Sequence, residues 1–208
     1  MISVVVPTFN AAGTLGRTLE SLAPCRPELL REVIVSDGGS SDQTIHIAND
    51  AGCRVVHAEK GRGAQLRAGA LAARQKWLLF LHADTRLTDN WARAVSSFLQ
   101  QPESETTAGV FAFRLDDDRI KARVLERLVA MRVKILALPY GDQGLLMSRA
   151  LYDEIGGFAD IPLMEDVDIV RRIDRGPYSR TVLPSGRVTA CTRYGRIITP
   201  SLAMAAVT

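Results

Sequence analysis

The residues best suited to chemistry are acids that follow apolar runs. Leu78-Leu79-Phe80-Leu81 stops on His82-Ala83-Asp84, Val33-Ile34-Val35-Ser36 stops on Asp37, and Met164 precedes the adjacent acids Glu165 and Asp166. Carboxylates so placed can hold a hard divalent cation, accept from a ligand hydroxyl, or take a proton from an attacking group. Arg62, between Gly61 and Gly63, adds a guanidinium suited to phosphate. A phosphorylated ligand would account for the set: Asp84 for Mg²⁺ or Mn²⁺, Asp37 for a base or ribose, Arg62 for phosphate. His82 is a softer metal-ligand candidate, although a lone histidine more often serves as a hydrogen-bonded structural residue. Acids also form turns and answer the dipole of a helix start, so the combination says more than any member.

These residues need strands that end together. The run 77–81 suits a strand buried on both faces, as do 2–6, closed by Pro7, and 32–36. A short strand at 54–57 completes a set that alternates with helical patterns at 15–22, 43–51 and 61–74. Such alternation calls for an α/β domain with a mostly parallel, Rossmann-like sheet, helices on both faces and right-handed crossovers. Ligands of such sheets gather at the carboxyl ends of the strands, where Asp37 and Asp84 stand.

After a helix at 89–101 the pattern changes. Strands are expected at 108–115, 144–148 and 179–183, a short helix from Ala150, and a helix from Glu165 to about Arg175. A long basic amphipathic stripe at 119–138 either packs on the sheet or lies on a membrane or partner surface. Gly141-Asp142-Gln143 forms a polar turn, and the pattern beyond Pro184 is weak.

A chain of 208 residues with 47% hydrophobic and 24% charged residues can bury a sizeable core and is read as a single domain, 1–208. Within it, 1–101 would be the nucleotide-binding half, 102–183 the acceptor half and 184–208 a basic tail. A net charge of +3 is too small to argue for nucleic acid. Cys25, Cys53 and Cys191 give neither a disulfide framework nor zinc spacing, so a reducing cytoplasm is the simplest setting. The first residues carry no basic leader and read as a strand rather than a signal peptide.

Six short motifs in order resemble those of family 2 glycosyltransferases of the GT-A fold. They are Ser3-Val4-Val5-Val6-Pro7-Thr8-Phe9-Asn10, Val35-Ser36-Asp37-Gly38-Gly39-Ser40-Ser41-Asp42, Gly61-Arg62-Gly63-Ala64-Gln65, Leu81-His82-Ala83-Asp84-Thr85, Tyr140-Gly141-Asp142-Gln143 and Leu163-Met164-Glu165-Asp166. Their particular form is similar to a bacterial subgroup labelled arsenosugar-biosynthesis glycosyltransferases. The resemblance implies a nucleotide-diphospho-sugar donor, a hydroxyl acceptor, a divalent cation and an inverting transfer. It places Pro7, Thr8, Asn10 and Asp37 at the nucleobase and ribose, and Arg62, Gly63, His82 and Ala83 beside the nucleotide-sugar. Asp84 matches the last acid of the family's metal motif and Asp166 its general base, with Glu165 orienting the acceptor or Asp166. Gly141, Asp142 and Gln143 would face the acceptor.

The chain departs from the pattern in two places. The family usually has an acid where His82 stands, and the subgroup an Arg-Arg-Trp element where Ser185-Gly186-Arg187-Val188-Thr189 lies. The chain also stops before the subgroup's apolar C-terminal extension, which suggests a shortened form. Rivals are a nucleotide-sugar-binding protein with impaired turnover, and a sugar-1-phosphate nucleotidyltransferase. The latter should carry a glycine- and arginine-rich loop after the first strand, where Pro7-Thr8-Phe9-Asn10 stands. A membrane-surface module using the 119–138 stripe and the tail is a third.

Overall fold

The computed structural model describes residues 1–23, 28–115, 144–161 and 164–190. Strand β1 (Ile2–Thr8) leads through helix α1 (Leu15–Leu22) to β2 (Leu30–Asp37), α2 (Thr44–Asp50), β3 (Arg54–His57), α3 (Arg62–Ala72) and β4 (Trp77–Phe80). A short strand β5 (Thr85–Leu87), helix α4 (Trp91–Leu99), a 3-10 turn (Ser104–Thr106) and β6 (Thr107–Leu115) follow. Beyond these stand β7 (Leu145–Ser148), α5 (Arg149–Glu154), α6 (Glu165–Arg175) and β8 (Ser179–Ala190). The expected 119–138 helix, the Gly141-Asp142-Gln143 turn and the residues after Ala190 lie outside the described residues.

The strands form one 8-stranded sheet in the order β3-β2-β1-β4-β7-β6-β8-β5. β1 pairs in parallel with β2 and β4, and β2 with β3, while β7 runs antiparallel to both β4 and β6. This is the α/β architecture the alternating pattern called for, with a mixed second half. Two elements differ from expectation. Thr85–Leu87 forms a strand against the end of β8, and β8 continues past Leu183 to Ala190. A register shift between Val110 and Ala112 lets β6 follow β8 through the Pro184 segment.

Alternation along the strands divides the core by sheet face. Val4, Val6, Leu79 and Leu81 join one apolar cluster with Leu15, Leu19, Trp91 and Phe98. Val5, Leu78 and Phe80 point the other way, to Leu66 and Ala70 of α3 and to Ile169 and Ile173 of α6. Successive strand side chains face opposite sides, so a continuous apolar run is what a sheet covered on both faces requires. Helix α3 lies so near β1 that a Cβ on Gly69 would sit 2.3 Å from Val5 Cγ1.

The chain runs β1-β2-β3 in one direction and then crosses back to place β4 on the other side of β1. Strand order therefore reverses between β1 and β4, and crevices at such points take ligands. Pro7 helps define the opening. Backbone groups two residues apart face the same neighbour, so Pro7 faces β4, as Val5 does. There the ladder has already ended, with Leu81 N donating to Val5 O at 3.0 Å. The N–H that proline lacks is missing where no strand needs it.

Candidate active site

The carboxyl ends of β1 and β2 carry two loops sewn together. Asn10, at φ 50, turns the chain after β1, a left-handed conformation that asparagine tolerates. Its backbone N–H donates to Ser40 Oγ at 2.8 Å, and its side-chain oxygen accepts from Ser41 N at 2.8 Å. Ala11 N reaches Thr44 Oγ1 at 2.8 Å and Ala12 N reaches Asp42 Oδ2 at 3.0 Å. Asp42 also accepts from Thr44 N at 3.0 Å, and the Thr44 hydroxyl foremost holds its carboxyl below the ordinary value.

Asp37 is the centre of this construction. It is fully buried and accepts from Thr8 Oγ1 at 3.0 Å, Gly39 N at 2.9 Å, Ser40 N at 2.8 Å and the Ser40 hydroxyl. Burial raises its pKa, but the Ser40 bonds foremost, with Thr8 and Gly39, bring it below the usual carboxylate value. A carboxylate offers about four lone-pair sites. All are engaged within the protein, so Asp37 shapes the loop. Thr8 is likewise buried, its carbonyl accepting from Gly38 N and from Gln65 Nε2.

Gln65 was quoted within a motif but given no role by sequence reasoning. It is buried on α3 and bonds the carbonyls of Thr8 and Ser36, closing the ends of β1 and β2. A polar residue on the inward face of an alanine-rich helix is the signal that could have revealed it. Phe9 was also passed over. The residue is 42% exposed, with Lys60 Nζ 4.0 Å from its ring centroid.

The opposite wall begins where β4 ends. Thr18 of α1 donates to the Ala83 carbonyl at 2.9 Å, and Thr85 N donates to the His82 carbonyl at 3.2 Å, fixing the His82-Ala83-Asp84 turn. Asp84 is exposed at the rim. Burial first, and then the positive charge of Arg62, push the His82 pKa down to about 4, against the opposing pull of Asp84 and Asp166. His82 is thus neutral near pH 7. Residues from α3, the end of β4 and α6 converge at this rim.

Met164, which precedes helix α6, takes a left-handed φ of 67. Glu165, Asp166 and Asp168 occupy its first turn and Arg172 and Arg175 its last, as the helix dipole favours. Asp166 is half-buried and accepts from Val167 N at 2.8 Å. Glu165 is buried, and Arg62 Nη1 lies 3.2 Å from its Oε1. Burial raises the Glu165 pKa, Arg62 opposes this, and Asp166 adds to it. His82, Glu165 and Asp166 share a cleft with Leu66, Phe80, Val110, Leu145 and Phe158.

The turn before α6 is clamped by Arg172, another residue the sequence reading left without a role. It donates to Asp168 at 2.9 and 2.6 Å, to the Gly157 carbonyl at 2.6 Å and to the Ile155 carbonyl. Ala159, just beyond the clamped carbonyls, abuts Gly63 near the start of α3.

The model of the family described as "Glycosyl transferase family 2" matches residues 3–159. The chain belongs to glycosyl transferase family 2. Among family relatives, a "PGL/p-HBAD biosynthesis glycosyltransferase" of Mycobacterium bovis is 36% identical over 50% of this chain and 43% of its own. A "Glucosyl-3-phosphoglycerate synthase" of Mycolicibacterium paratuberculosis is 30% identical over 62% of this chain and 46% of its own. The chain therefore spans less than half the length of these curated relatives.

Solved structures carry the same GT-A fold. S. aureus TarS 1-349 in complex with UDP-GlcNAc superposes with a TM-score of 0.72 at 17% identity, covering 100% of this chain and 61% of that one. Glucosyl-3-phosphoglycerate synthase from Mycobacterium tuberculosis, in complex with Mn²⁺, UDP and phosphoglyceric acid, gives 0.63 at 22% identity over 88% and 68%. The family match ends before α6, so Asp166 and Glu165 stand on the geometry described above.

Proposed function

We propose that this domain transfers a sugar from a nucleoside-diphosphate donor to an acceptor hydroxyl with inversion, with Asp166 as general base. The observation that carries this reading is that His82, Glu165 and Asp166 line one cleft at the carboxyl end of β4, with Arg62 paired to Glu165 and Asp84 two residues beyond His82. Groups suited to a phosphate, a cation and a proton would thus share one rim. The family supports the reaction class, and UDP in the TarS and synthase complexes supports a uridine diphosphate donor.

The nucleoside would lie along the stitched loops after β1 and β2. Asp37 and Thr8 hold their shape, Asn10 fixes the turn, and the exposed Phe9 ring offers a flat apolar face to a base. Gly63 lets α3 begin close to the crevice, where Arg62 meets phosphate.

Among the described residues no group of three or more His, Cys, Asp or Glu side chains could hold a metal. Mg²⁺ and Mn²⁺ commonly take one or two carboxylates and complete their shell with substrate phosphate and water. Exposed Asp84, with neutral His82 beside it, fits a cation shared with a diphosphate. Such a cation would supply positive charge where the leaving diphosphate develops negative charge. Asp166 accepts the proton of the acceptor hydroxyl as the new bond forms, a contribution of roughly 10²–10⁴-fold. Attack opposite the leaving group inverts the anomeric centre.

Finer assignments follow the motifs: membership of the arsenosugar-labelled subgroup on His82-Ala83-Asp84-Thr85 and Met164-Glu165-Asp166, and acceptor contact at 141–143, which lies outside the described residues. No helix among the described residues is long and apolar enough to cross a membrane. Peripheral docking through 119–138 would appear as vesicle co-sedimentation that salt weakens. The central test incubates UDP-sugars with Mn²⁺ and a panel of acceptors, with Asp166→Asn as control. Transfer or donor hydrolysis that the substitution removes supports the enzyme. Metal-dependent binding without turnover favours the nucleotide-sugar-binding alternative.

A further inference from the structure

Sequence reasoning gives Arg62 and Glu165 separate partners, phosphate for one and acceptor or base for the other. The structure pairs them, with Nη1 to Oε1 at 3.2 Å. The two ends of the pair are unlike, because the Arg62 side chain is 43% exposed and that of Glu165 only 2%. Among the described residues Glu165 Oε1 is buried without an aligned hydrogen bond, and the Arg62 ion pair offsets that burial. Buried carboxylates require such compensation.

A guanidinium carries five N–H donors in a rigid plane. One edge against Glu165 leaves the others available, and the exposure of Arg62 places them at the solvent side. Glu165 shares a cleft with His82, two residues before Asp84, so the exposed side of Arg62 stands beside the proposed diphosphate position. An arginine held at one edge has already given up the rotamer freedom that phosphate binding would otherwise cost.

We infer that Glu165 is a positioning residue for donor binding, anchoring Arg62 so that its guanidinium bridges the buried carboxylate and the donor diphosphate. This rests on the donor reading above, and separates the roles of two adjacent acids. Asp166 handles the proton of the acceptor. Glu165 acts on the donor through Arg62 and takes no proton in the reaction. Asp166 and Arg62 are the charged groups that bear on Glu165, and they act in opposite senses.

The test is a double-mutant cycle on the full chain, titrated calorimetrically with UDP in the presence of Mn²⁺, alongside donor KM and kcat. Glu165→Gln and Arg62→Ala should each weaken UDP binding about tenfold, and the double variant no further than Arg62→Ala alone. In turnover, Glu165→Gln should raise donor KM and leave kcat within about threefold, the pattern of lost uniform binding. Effects that multiply in the double variant, or a fall in kcat at unchanged donor KM, overturn the inference. If Glu165→Gln does not fold, Arg62→Lys carries the test: it keeps the charge but loses the planar fork, and UDP affinity equal to wild type overturns the anchoring role. Wild type that binds no UDP at all sinks the donor reading, and this inference with it.

Discussion

Gly63 and Ala159 meet so closely that a methyl group on Gly63 would sit 2.2 Å from the Ala159 carbonyl oxygen. The obstacle is backbone, held in place by Arg172 through the carbonyls of Ile155 and Gly157. The start of α3, with Arg62, and the approach to α6, with Glu165 and Asp166, are thereby packed as one unit.

Gly63→Ala is expected to destabilise the domain by about 1–3 kcal/mol, the usual cost of overpacking where backbone must shift. Nucleotide affinity should fall at the same time, because Arg62 is displaced with the helix start. Denaturant midpoints and UDP titration of the same preparation check both, and an unchanged midpoint would contradict the contact.

Arg172→Met should cost about 1–3 kcal/mol, since it leaves two carbonyls and the Asp168 carboxylate without their donor. Arg172→Lys should recover only part of this, because one ammonium cannot span the same three partners. Urea unfolding of the pair against wild type decides it.

Asp166→Asn should lower kcat roughly 10²–10⁴-fold while leaving the melting temperature close to wild type. The amide oxygen can still accept from Val167 N, so the helix start loses little. A variant with near-normal turnover would remove Asp166 from the role of base.

Asp84→Ala changes an exposed side chain, so stability should move by no more than about 0.5 kcal/mol. What should vanish is the gain in UDP affinity on adding Mn²⁺, and chelator should produce the same loss in wild type. Calorimetry with and without the cation reads both arms.

The Asp37 bonds predict a pH window. Its folded pKa lies below the ordinary carboxylate value of 3.8, so its stabilisation is complete above that value. It is lost as pH falls through the lowered folded value. Asp37→Asn should therefore be destabilised at neutral pH, by about 1–3 kcal/mol for bonds to a charged group. The gap to wild type should narrow below about pH 4. Paired urea curves across pH 3–7 give the difference directly, and a gap that does not change with pH removes the carboxylate charge from the account.

Much of the fold was legible because burial on two faces writes itself into strands such as Val4-Val5-Val6 and Leu78-Leu79-Phe80. The acids of the site were legible because they interrupt such runs. Thr85–Leu87 was not, since a strand so short carries no periodicity, and Pro184 concealed that β8 continues to Ala190. Asp37 was found but its orientation was not: sequence shows that an acid follows β2, and only the turn geometry shows its oxygens spent on Thr8, Gly39 and Ser40. The Arg62–Glu165 pair joins residues far apart in sequence and depends on how α3 and α6 pack. No local pattern encodes that.

Pro7 has a consequence for the free protein. Because its nitrogen carries no hydrogen, Pro7 offers β4 a carbonyl acceptor but no donor, and covalent structure removes one rung from any ladder continued beyond Val5. Separation of the two strands past Val5 is thereby favoured in the free protein. Ligand binding need not prise a ladder apart, and the binding energy that opening would have consumed stays available for holding the nucleotide.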